Sequence, residues 1–318
     1  MTKQQARLAR VAVMRVTRRV KRRSVLAGLS VVAIAIGVAI VVGAVDAGSP
    51  RYIVFSGSPS AAPPQLYRIQ STGGGLQQIT AGANAAVNPA FSPGGQRIAF
   101  TRLGVGIFTM NPDGTGLRRL TKGGRDSYPT WAPTGGRIAF VRPVKAQWRL
   151  FVLSTSGGTP HLLSKAPPSG RPSWTRAGLL TASGGDLLRI DPGTGRVLKY
   201  YGANVDAIWG LNTVALSPDL SKLTYIGART PDPGDKECGE GPCQRFALFI
   251  ESLTTKKKKP QLLVKDVGPA TFSPDGGQLA YAGGGQLVLR SITSGSAHAL
   301  ATGTVTAATS APPAWQPR

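Results

Sequence analysis

The stretch AFSPGGQRIAF, residues 90 to 100, returns forty residues later as TWAPTGGRIAF, residues 130 to 140. Each copy reads as a strand, a tight turn and a second strand, because the Gly-rich centre supplies the positive φ that short hairpin loops need. A degenerate copy, PSWTRAGLLTA, occupies 172 to 182; VALSPDLSKLTY at 214 to 225 and ATFSPDGGQLAY at 270 to 281 follow. Their anchoring positions Phe91, Trp131, Trp174, Leu216 and Phe272 are spaced by 40, 43, 42 and 56 residues. A period near forty, with two further short strands after each copy, predicts one four-stranded β-blade per repeat.

The second half of each unit is a second hairpin: GIFTM, the turn NPDGTG, then LRRLT at 117 to 121. Within the second strand, bulky Ile98 and Phe100 alternate with small Ala99, and Ile138 and Phe140 with Ala139. Both faces are apolar, as expected of a sheet stacked between two neighbouring sheets. The body opens with RYIVFSG, a second strand lacking its first, and ends with PPAWQPR, a first strand lacking partners, with Trp315 43 residues after Phe272. Joining the two ends completes one more blade. The expectation is an all-β, six-bladed β-propeller over 51–318, closed by pairing of its N- and C-terminal strands, which leaves no open edge. The longest interval carries an insertion at about 229–244, in blade five.

The motif xFSPDGxxIAF, followed by a strand, an Asp-Gly turn and a Leu-Thr ending, resembles the repeat of TolB-like six-bladed β-propellers, and the resemblance covers 51 to 318. It implies the fold, a platform that carries many different roles. The α/β domain that precedes the propeller in TolB itself is not expected in this chain.

The formal charge of +24 is unevenly spread: nine of the 38 basic residues fall within 1–23, which holds no acidic residue. The other basic groups are scattered singly through turns, without the aromatic and basic stacking pattern of a nucleic-acid groove, so no specific nucleic-acid partner is expected. The uncharged run VLAGLSVVAIAIGVAIVVGAV at 25 to 45 is long enough to span a bilayer. The expected organisation is a basic cytoplasmic tail (1–23), a transmembrane signal-anchor helix (24–46) and an extracytoplasmic propeller, with the basic flank inside. The alternative is export and cleavage near Ala47, since RRSVL at 22 to 26 resembles a twin-arginine motif. Cys238 and Cys243 lie in the insertion, four residues apart, and an exported location permits a disulfide between them.

No nucleophile elbow, zinc motif or phosphate-binding loop is present, and the two histidines, His161 and His298, fall in outer hairpins. The chain is expected to be a non-catalytic monomer without a cofactor, binding an envelope protein or peptide. The candidate binding residues are Asp126 and Asp266, each three residues before a Pro, together with Asp206 and Trp209, all on loops entering first strands. Two aligned carboxylates are suited to a cation or a partner's basic side chain, which keeps a ligand- or cation-binding sensor as an alternative, and a channel enzyme behind it. The competing reading is that each Asp caps its own turn. Asp113 and Asp275 are read as turn residues, and Lys256 to Lys259 as a solvated loop.

Overall fold

The computed structural model describes residues 51–168, 170–183, 186–201, 214–229, 245–254 and 260–317, and before them only the antiparallel pairs Ile34–Ala35 and Val38–Ala39. The tail over 1–23 lies outside the described residues, as does the rest of the expected spanning helix. Among the described residues no helix is long and apolar enough to cross a membrane.

From residue 51 onward the described residues form six antiparallel sheets. Blade two is typical: Ala86–Phe91, Ile98–Arg102, Gly106–Met110 and Arg118–Arg119, in sequence order from the axis outward. The first strands touch their neighbours all the way round, so the ring is closed. Closure is made in blade one, where Ala314–Trp315 pairs with Tyr52–Ser58 through Ala314 opposite Val54 and Trp315 opposite Ile53. A second short segment, Thr306–Ala307, pairs with the far end of the same strand. That broken first strand has no counterpart in the repeat pattern, because the Pro312-Pro313 pair has no donors to continue a ladder.

Alternation of large and small side chains explains the stacking. Ile98 and Phe100 join Val54 and Leu66 of blade one in one cluster, while Ala99 joins Trp131, Ile138 and Phe140 of blade three in the next. Every interface repeats the scheme, giving six clusters for six interfaces. Ile98, Ala99 and Phe100 are all fully buried. Burying a side chain the size of Phe100 contributes about 1.5–3 kcal/mol. In blades one, two, three and five an aromatic pair also sits directly across the middle hairpin, such as Phe100 over Phe108 with centroids 5.8 Å apart.

The recurring Ser-Pro turns have a shared chemistry. Ser92, Ser217 and Ser273 each accept a backbone N–H five residues ahead, from Arg97, Lys222 and Gln278. In blades five and six the same hydroxyl donates to Asp219 or Asp275. The fourth turn position is left-handed: Gly95, Gly135 and Gly276 take φ of 70°, 76° and 73°. Blade five puts Leu220 there, at φ 59°.

Candidate functional site

The ends of all six first strands and the turns after them enclose a central cavity of about 690 Å³. Its wall is built from the six repeat anchors, Phe91, Trp131, Trp174, Leu216, Phe272 and Trp315. Two of the three tryptophan anchors are held from behind: the Trp131 indole N–H donates to the Ala90 carbonyl of the preceding blade at 2.9 Å, and Trp174 lies under the Arg137 guanidinium at 5.2 Å. The residues that define the period are therefore also the residues that shape the cavity.

Among the described residues, charge on this wall is sparse: Arg171, Arg176 and Asp219. Asp219 is occupied by its own turn, accepting from the hydroxyls of Ser217 and Ser221 and from the Ser221 N–H. Those bonds, the Ser217 hydroxyl first, hold its carboxyl well below the usual carboxylate range. Arg171 precedes Trp174 by three residues, and burial pulls its guanidinium down to about 10. Both arginines were missed in the sequence, although a signal was present: the third copy writes Thr175-Arg176 where the other blades write Ser-Pro, Ala-Pro or Gln-Pro.

The acidic candidates are placed differently from one another. Asp126 is buried, and both its oxygens accept from Arg142 of the same blade, Nε to Oδ1 at 2.6 Å and Nη2 to Oδ2 at 2.8 Å. A cation could use this carboxylate only by breaking the ion pair. Asp266 is exposed and left-handed, at φ 54°. It stands six residues before its anchor Phe272, whereas Asp126 stands five before Trp131. The shared distance to Pro therefore hides a one-residue difference in register. Neither lines the central cavity, which opens at the other end of the first strands.

Asp206, Trp209, Cys238, Cys243, the insertion beyond Arg229 and Lys256 to Lys259 lie outside the described residues. His161 and His298 are exposed on outer strands. Asp113 accepts from the Thr115 hydroxyl and N–H, which lower its pKa, and so acts within its turn. Among the described residues no three His, Cys, Asp or Glu side chains gather as a metal site.

Comparison with known proteins agrees with this architecture. No family model matches the chain. A TolB from Acinetobacter baumannii superposes with a TM-score of 0.64 at 17% identity, covering 85% of this chain and 67% of that one. A TolB-type structure from Agrobacterium tumefaciens gives 0.52 at 12% identity, over 80% and 89%. In sequence, the Tol-Pal system protein TolB of Gluconobacter oxydans (strain 621H) is 50% identical over 58 residues, which are 17% of this chain and only 13% of that protein. The fold is that of a TolB-like six-bladed β-propeller.

Proposed function

We propose that this chain is a non-catalytic binding scaffold on the outer side of the cytoplasmic membrane, holding an envelope protein or peptide at the mouth of its central cavity. The observation that carries this reading is the cavity itself, walled by one anchor from each of six blades. A closed ring fixes those side chains before any partner arrives, so little ordering cost remains at binding. The likeness to TolB proteins supports an envelope partner by fold analogy. The apolar run at 25 to 45 supplies the anchor in this reading, and the blade-five insertion is a second contact surface.

A photo-crosslinking residue at Gly94 tests the proposal. This glycine is exposed beside the Ser92-Pro93 turn, and a side chain there meets open space. Irradiation of native membranes is expected to give a discrete protein adduct from Gly94 and none from exposed Leu162 on an outer strand. No adduct at Gly94, or the same adducts from both positions, contradicts the reading.

A further inference from the structure

Two residues after its anchor, five of the six blades place a proline at the cavity: Pro93, Pro133, Pro218, Pro274 and Pro317. Blade four places Arg176 there, on the exposed rim. The same blade carries Arg171 three residues before its anchor, about 10 Å further along the strand direction. Blades two and three have uncharged Asn88 and Tyr128 at that register. Both departures from the repeat thus add positive charge to one side of one cavity.

Arg171 is only partly exposed, and it lines the cavity. Among the described residues its side chain has neither a hydrogen bond nor an ion pair. The contrast with Arg142, also partly buried but held by Asp126, is direct. A guanidinium partly withdrawn from water without a counter-charge loses hydration that nothing replaces, which makes it a ready partner for an added anion. Among the described residues the one carboxylate on the wall, Asp219, already serves its turn. An acceptor supplied from outside resolves this.

We propose that Arg171 receives a carboxylate of an acidic peptide segment, with Arg176 as a second cation at the rim and the aromatic anchors taking that segment's apolar side chains. The inference rests on the scaffold reading and gives its ligand a chemistry. An arginine pairs with carboxylate through two parallel hydrogen bonds, which orients as well as attracts. The apolar ring and a cavity of about 690 Å³ suit several residues of peptide rather than a free dicarboxylate.

The test pans a random heptapeptide phage library on the full-length chain in detergent, beside Arg171→Gln and Arg171→Lys. Wild type is expected to enrich Asp or Glu next to an apolar residue. The best synthetic peptide should bind Arg171→Gln at least tenfold more weakly, with partial recovery in Arg171→Lys. Its Glu→Gln version should lose as much on wild type and nothing further on Arg171→Gln, the signature of a direct pair. Because Arg171→Gln removes an uncompensated charge, it should melt at or above the wild-type temperature. A strongly lowered melting temperature, additive losses, or enrichment without acidic residues overturns the inference and leaves the scaffold reading standing. Displacement of the peptide by micromolar succinate reassigns the site to a small anion. If no peptide is retained, or if Pro93→Glu/Pro218→Glu retains the same peptides, the scaffold reading itself fails.

Discussion

Replacing Arg142 by Met isolates what the buried carboxylate of Asp126 is for. The Asp126 side chain has no solvent exposure, while that of Arg142 keeps 26% and lies over Phe140 and Phe151 at 5.4 and 4.9 Å from the ring centres. The hydrogen bond that Arg142 donates to Asp126 raises the Arg142 pKa, so its guanidinium stays charged. Met retains the stacking stem but strands the carboxylate in a water-free site. Breaking a fully buried pair costs about 3–5 kcal/mol; the partial exposure of Arg142 reduces this to about 2–4 kcal/mol. Asp126→Ala removes the buried charge and leaves an arginine that can turn to water, at a cost of about 1–2 kcal/mol. In a domain of this size each kcal/mol moves the melting temperature by about 2–4 °C. Thermal unfolding of the two variants should therefore rank Arg142→Met well below Asp126→Ala, with both below wild type. If Asp126→Ala is as stable as wild type, or Arg142→Met is the milder change, Asp126 is not held for this ion pair.

Other consequences are local. Gly195, at φ 73°, has no room for a Cβ against the Leu163 carbonyl of the preceding blade, so Gly195→Ala should lower stability by about 2 kcal/mol or more, read by urea unfolding. Leu220→Gly relieves a left-handed side chain and should leave stability unchanged or raised by up to about 1 kcal/mol, whereas Gly276→Leu at the equivalent turn should lose about 1–2 kcal/mol; a large loss in Leu220→Gly would mean that its packing matters more than its backbone. Burial raises the pKa of Tyr128, Tyr225 and Tyr281, with Glu251 adding to the effect at Tyr225. Since the unfolded chain ionises first, the tyrosine contribution to stability should be constant below pH about 10 and be lost above it. Tyr225→Phe should flatten that fall in unfolding measured between neutral and alkaline pH.

The fold was legible because the same physical problem recurs in every blade. A sheet between two sheets must present a large face and a small face, and Ile98-Ala99-Phe100 writes that requirement directly into the chain. Closure was legible for a similar reason: Trp315 is an anchor without a blade, and Tyr52–Ser58 is a second strand without a first. Thr306–Ala307 was not, since two residues of ladder beyond a break at 308–313 leave no periodic trace. The site was harder to read. Counting from Pro aligned Asp126 with Asp266, but strand register is set by the anchor at the cavity wall, and the two differ there by one residue. The cavity's own charges went unread because Arg171 and Arg176 occur as departures from a repeat, and a departure looks like degeneration until the six copies are set around one axis.

The central claim, that the partner is held at the mouth formed by the first-strand ends, is tested most directly by the doubly charged rim. Pro93 and Pro218 sit on opposite blades, exposed, at turns whose hydrogen bonds are made by Ser92 and Ser217 rather than by the prolines. Pro93→Glu/Pro218→Glu should keep its melting temperature within a few degrees of wild type. Quantitative recovery of the partner crosslinked at Gly94 should fall at least tenfold in this variant. Undiminished recovery from a folded Pro93→Glu/Pro218→Glu ring would contradict the account, placing the partner somewhere other than the central cavity.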